Sequence, residues 1–142
     1  VPDTTDSRLE LLKTSLQGVV DAAGSHRVVT RDFAPLENRD HDELLRGVWS
    51  LVVVEEDEFI VLTGGQSDEG AINVLAIGHL MVRDDQKGSD VEAAELAMVG
   101  EIKDLVNSAL PADICGLRLL KWRGSGQLAA PFGWVTATLR IL

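Results

Sequence analysis

Leu9, Leu12, Leu16, Val19 and Ala23 recur at intervals of three and four in the stretch TTDSRLELLKTSLQGVVDAAG. That spacing predicts an amphipathic helix with these residues on one face. Ser7 and Glu10 fit an S-x-x-E capping box, and Gly24 supplies the stop. A second helix is predicted in DDQKGSDVEAAELAMVGEIKDLVNSALP. Its stripe is Val91, Met98, Ile102, Leu105 and Ala109, widened by Ala94, Leu96, Val99 and Val106, so most of its girth is expected to be buried. Ser89 or Asp90 caps it, Glu92 and Glu95 suit its positive N-terminal end, and Pro111 ends it.

The remaining apolar runs have the shorter period of strands. HRVVTRDF places Val28, Val29 and Phe33 among polar residues. APLENRDHDELLRG then makes a polar connection with one helical turn near 42–46; its length marks it as a functional or partner-contacting loop. VWSLVVV runs to an acidic turn, EEDE; FIVLTGG and a second turn, QSDEG, follow, and then INVLAIGHLMVR. Three runs joined by short turns predict an antiparallel meander. Gly78 in the third run signals a bulge or a close backbone approach. ICGLRLLKW and FGWVTATLRIL form a last strand pair around RGSGQLAAP. In the final strand Trp134, Thr136, Thr138 and Arg140 share one face, and Val135, Ala137, Leu139 and Ile141 share the other, which is expected to face the helices. The order helix, four strands, helix, two strands gives an α+β fold, a mostly antiparallel sheet flanked by two main helices, in one domain over residues 1–142.

Charge adds a second layer to this picture. The chain carries a formal net charge of -10, unevenly spread. Glu37, Asp40, Asp42, Glu43, Glu55, Glu56, Asp57 and Glu58 face only Arg39 and Arg46 within residues 36–58. The last 26 residues hold Arg118, Lys121, Arg123 and Arg140 and no acid. The acidic balance argues against sequence-independent duplex binding, which relies on Lys and Arg meeting phosphates. The split instead fits two complementary faces of an oligomer. Trp134, which shares a strand face with threonines and an arginine, is the tryptophan placed at that interface; Trp49 and Trp122 are assigned to the core.

Catalytic and metal-binding patterns are weak by comparison. RDHDE around His41 has the ingredients of a metal site without a fixed spacing, and a solvated acidic loop is the better reading. GGQSDEG and RGSGQ lack the P-loop and dinucleotide patterns and read as hairpin turns. EEDE does not match EF-hand ligand spacing. Cys115, the one cysteine, cannot form an internal disulfide, fits a reducing compartment and reads as a small buried apolar residue. The chain is therefore expected to be no enzyme, with no cofactor and no metal. No run is long and apolar enough to span a membrane, VPDTTDSRLE has no signal-peptide pattern, and a start at Val1 reads as loss of an initiator Met.

Element order gives one family resemblance. An amphipathic helix leads to HRVVTRDF and a long polar connection; a hydrophobic strand with an acidic turn precedes INVLAIGHLMVR; AAELAMVGEIKDLVNSAL and a closing strand pair end the chain. Over nearly its whole length this resembles the tail-terminator proteins of long-tailed bacteriophages and the small minor tail proteins of Mu-like phages. The resemblance implies a virion protein, assembled in the host cytoplasm, that forms a ring, usually a hexamer, at the head-proximal end of the tail tube. Such a ring stops tube polymerisation, docks to head-completion proteins and passes DNA through its lumen without specific binding. A head-to-tail ring needs two different complementary patches on each subunit. Arg118, Lys121, Arg123, Trp134 and Arg140 are expected in one. Glu37, Asp40, Asp42 and Glu43 of the loop and Glu55, Glu56, Asp57 and Glu58 of the turn are expected in the other, or else the partner is an acidic face of a neighbouring tail protein. Two alternatives stand beside this: another head–tail connector or tube component, and a small ligand-binding or enzymatic α+β domain with a pocket at His79 or Cys115.

Overall fold

The structure, a computed structural model, describes residues 4–59, 61–62, 64–67, 69–83, 86–111 and 114–142. The fold is α+β. Helix α1 (Thr4–Ala22) leads to β1 (Val28–Thr30), a 3-10 turn (Leu36–Asn38) and the short α2 (His41–Arg46). Strand β2 (Val48–Asp57) follows, then β3 (Val61–Leu62), β4 (Gly65–Gln66) and β5 (Ala71–Met81). Helix α3 (Gly88–Val106) and the strands β6 (Leu117–Gly124) and β7 (Phe132–Ile141) complete it. The main sheet has the order β1-β2-β5-β7-β6. Only β1 and β2 run parallel; every other neighbouring pair is antiparallel.

Helices α1 and α3 pack side by side on one face of this sheet. Leu9, Leu12, Leu16 and Val20 from α1 meet Val91, Met98, Val99, Ile102 and Leu105 from α3 in one core with Trp49, Leu51, Ile72, Val74, Ala76, Val135, Ala137, Leu139 and Ile141. The alternation expected for the last strand is therefore present, its apolar set buried and its polar set half-buried. Gly78 is a place of close approach: a Cβ there would lie 2.8 Å from Met98 Cε and 3.1 Å from the Trp49 ring. The bulges lie elsewhere, at Val53/Glu55 in β2 and Leu119/Lys121 in β6.

Several sequence expectations need correction. Helix α1 is already formed at Thr4, so Ser7 lies inside it rather than at its cap. Val20 takes the buried place assigned to Val19, which is half-buried, and Ala23 is exposed beyond the last turn. In α3, Asp90 is not the N-cap: its carboxylate accepts a hydrogen bond from the backbone N–H of Lys87 at 2.8 Å, and Ser89 is helical. The helix stops at Val106, ahead of Pro111, which leaves Ala109 outside it and exposed. Leu96 is 49% exposed because it lies about 100° around the axis from Glu95. The meander is also absent. The EEDE acids do not form a turn, because β2 continues through the bulge and pairs as far as Asp57 with Ala71. FIVLTGG contributes β3 and the first residue of β4, which pair in a two-stranded ribbon apart from the main sheet; Ile60 and Thr63 of that run lie outside the described residues.

Candidate interaction face

The sheet face opposite α1 and α3 is built in cross-strand rows. Val48, His79 and Trp134 form one row. Ser50, Ile77, Thr136 and Arg123 form the next, and Val52, Leu75, Thr138 and Lys121 the third. Glu55, Asn73, Arg140 and Arg118 form the fourth. The pleat puts every second residue of each strand on this face, so β7 delivers Trp134, Thr136, Thr138 and Arg140 together, as their alternation foretold.

Residues 31–46 cross one half of this face as a strap. The Phe33 ring lies 5.8 Å from the His79 ring, and His41 meets Phe132 edge-on at 6.3 Å. Arg39 donates to the carbonyl of Asp32 at 2.8 Å and to Ser50 Oγ at 3.3 Å, while Leu44 of α2 is buried. His41 is thus an exposed strap residue beside an aromatic ring. Beyond the strap, Val52, Leu75, Ile77, Trp134, Thr136 and Thr138 are half-buried.

Beneath the strap, His79 Nδ1 and Arg39 Nε are buried without hydrogen-bond partners among the described residues. Burial pushes the His79 pKa below its ordinary value; the nearby Arg39 charge acts in the same direction and Glu37 opposes both. The unfolded chain therefore binds a proton before the folded one does, so stability falls as pH drops below about 6.5. A His79→Leu variant is expected to remove this part of the fall, at most about 1.4 kcal/mol per pH unit. Urea midpoints of both proteins at pH 7, 6 and 5 check it. Parallel curves would show that His79 is not the group responsible.

The acidic and basic groups named from sequence are arranged differently from the expectation of contacts purely between chains. Arg140 binds Asp57 at 2.5 Å and Glu58 at 3.0 Å within its own chain. It also donates to Asn73 Oδ1 at 2.7 Å, and Asn73 donates to Glu55 at 2.6 Å. Hydrogen bonds to Asp57 first and Glu58 second raise the pKa of Arg140. Glu56 is held from the helix side: Thr5 Oγ1 and the backbone N–H of Gly70 donate to it at 2.5 Å and 2.7 Å, and Arg8 pairs with it at 3.1 Å. All four acids of the EEDE run therefore have partners inside the chain. In the loop, Glu43 lies 3.9 Å from Arg39, while Glu37, Asp40 and Asp42 are exposed. Arg118, Lys121 and Arg123 are exposed on the edge strand β6 and make no ion pair or side-chain hydrogen bond among the described residues. Trp122, assigned to the core, is 37% exposed because β6 is the last strand of the sheet; Trp49, in β2 between two neighbours, is fully buried.

Two buried carboxylates support this face from behind, and the sequence reading missed both roles. Glu95 had been assigned to the positive end of α3, yet it is buried and receives hydrogen bonds from the Ser125 hydroxyl, the Ser125 N–H at 3.3 Å and the Trp134 N–H at 3.1 Å. It thereby ties α3 to both ends of the β6–β7 connection. Gly133 makes this possible, since a Cβ there would lie 2.7 Å from Val91 and 2.8 Å from the Glu95 carboxylate. Glu101 accepts from Arg27 Nε at 2.5 Å, Ser25 Oγ at 2.6 Å and Trp49 Nε1 at 3.4 Å.

Elsewhere, Cys115 is exposed and not buried, because it precedes β6 at the rim of the sheet. It lines an open hollow of about 250 Å³ with Arg8, Glu58, Glu69 and Leu142, and the Arg8 guanidinium there is already bound to Glu56 and the Gly70 carbonyl. His79 is not part of it. Among the described residues no three His, Cys, Asp or Glu side chains group as metal ligands, and no helix is long and apolar enough to cross a membrane. No protein-family profile matches the sequence, and no curated protein matches it significantly.

Proposed function

We propose that this chain is a structural subunit of a bacteriophage tail, forming a ring of the tail-terminator kind that caps the head-proximal end of the tail tube. The observation that carries the reading is the half-open sheet face, on which Trp134 and the unpaired cations of β6 lie together in a chain of net charge -10. A face of that composition suits a protein contact: an aromatic residue anchors it while complementary charge sets register and partner choice. Glu37, Asp40 and Asp42 in the strap are exposed, pair with no cation among the described residues, and are free to meet a neighbouring subunit. The ring halts tube growth by presenting a surface that further tube subunits do not fit, and its acidic balance lets DNA pass without adhering.

Mass photometry of the purified protein, alone and with tail tubes, tests the reading. A closed ring of uniform mass that binds tube ends is the expected result. Long polymers formed by the chain alone would assign it to the tube instead, and a monomer that ignores tubes would end the proposal. Arg118→Glu with Arg123→Glu is expected to reduce ring assembly or tube docking, with a change in monomer stability within about 0.5 kcal/mol because both positions are exposed. Normal assembly by that variant at low and high salt would remove the basic strand from the interface.

A further inference from the structure

Strand β6 closes one side of the sheet, and among the described residues its backbone pairs with β7 alone. Among the described residues nothing pairs with its outer edge, which is eight residues long. The opposite side of the sheet ends in β1, a strand of only three residues. Long free edges are normally blunted by charge or by a bulge, and β6 has both: Lys121 with two arginines, and an irregularity at Leu119/Lys121. These features repel a second β6, because antiparallel pairing of two such strands would bring cation against cation. They do not repel an acidic strand.

We propose that the outer edge of β6 accepts an added strand from a different protein, an extended acidic segment whose carboxylates align with Arg118, Lys121 and Arg123. Backbone hydrogen bonds supply sequence-independent binding in such an arrangement, and alternate side chains supply the choice of partner. On the helix side of the edge, Trp122 is 37% exposed, and Leu120 at the bulge is 47% exposed. The alternate residues of the incoming strand are accordingly apolar. Charge favours a different protein over another copy. The extended acids of this chain, Glu55 to Asp57, and the adjoining Glu58 are already held by Asn73, Arg8 and Arg140. Among the described residues, the exposed acids without a side-chain partner are Glu37, Asp40 and Asp42, in and beside helical turns, Asp104 within α3, and Asp32 and Glu69, whose backbones are already engaged by Thr30, Arg39 and Ser67. A nucleic acid is disfavoured by the field of a chain with net charge -10. The inference rests on reading the basic face as a contact surface and does not depend on ring closure.

The test uses the whole chain and a fluorescein-labelled decapeptide of alternating Glu and Val. Its controls are the matching Lys–Val peptide, the Glu–Val peptide N-methylated at every second residue, and a single-stranded oligothymidylate. Saturable binding of the Glu–Val peptide is expected, weakened roughly tenfold or more by Arg118→Glu with Arg123→Glu, and lost on N-methylation. Failure of the peptide to bind, equal binding of the N-methylated form, or preference for the oligothymidylate overturns the proposal. Hydrogen exchange on the protein alone separates this from the ring reading. A ring whose β6 amides are protected gives that edge to a second copy, which overturns this inference and leaves the ring intact. A monomer that binds the peptide upholds the strand addition and rejects the ring.

Discussion

Replacing Glu95 with alanine is expected to cost about 4 kcal/mol and to loosen the β6–β7 hairpin before the rest of the sheet. The carboxylate is 3% exposed and is the acceptor for three donors: the Ser125 hydroxyl, the Ser125 N–H and the Trp134 N–H. Each buried donor left without an acceptor costs about 1–3 kcal/mol, and water entering the vacated space recovers part of that. Glu95→Gln keeps one acceptor oxygen and introduces an amide that faces donors, so an intermediate loss is expected. Urea unfolding gives the total, and hydrogen exchange at the Ser125 and Trp134 amides locates it. A loss for Glu95→Ala under about 1 kcal/mol would mean that solvent already serves these donors.

Glu101→Ala is expected to be of similar size, about 3–5 kcal/mol, through a different mechanism. Its side chain is 6% exposed and that of Arg27 13%, so the variant leaves a largely buried guanidinium without its counter-ion. Arg27 retains one anchor, donating to the carbonyl of Arg46 at 2.7 Å. Ser25 and the Trp49 indole N–H also lose their acceptor. A second variant separates the terms. Adding Arg27→Met to Glu101→Ala removes the stranded charge, and the double variant is expected to be more stable than Glu101→Ala alone. If the two losses simply add, the Arg27–Glu101 pair contributes no coupling and the explanation fails.

Both carboxylates show where the sequence was harder to read. Apolar residues recurring at 3.6 or 2 residues identified α1, α3 and β7, and continuous apolar runs bounded by turn residues marked β5 and β6. Glu95 and Glu101 break that pattern from within. Glu95 lies four residues after Val91 and three before Met98, and Glu101 lies three after Met98 and four before Leu105. A charged residue at a stripe position was the available sign of a buried acceptor. Its donors are backbone groups of Ser125 and Trp134 or distant side chains such as Arg27, and no local pattern announces them.

The interface residues were legible only one strand at a time. Alternation in β7 placed Trp134 and Arg140 on one face, but pairing with β5 was needed to set Arg140 opposite Asn73 and within reach of Asp57. EEDE reads as a turn in the sequence, since charged residues are poor strand formers. Arg8, Asn73 and Arg140 compensate those charges from three separate elements, and pairing with β5 then carries β2 through them.

The strand order also constrains how the sheet comes into being. Strand β7 lies between β5 and β6, although it follows both in the chain. While a nascent chain is still short of residue 132, β5 has β2 on one side and a bare apolar edge on the other. The hairpin partner β6 cannot cover that edge, because its place is on the far side of β7. Closure must wait for a contact between residues 71–81 and 132–141, a long-range pairing of the kind that folds slowly and leaves edges open to aggregation meanwhile. A chain truncated before β7 would thus lose the middle of its sheet, not merely its last strand.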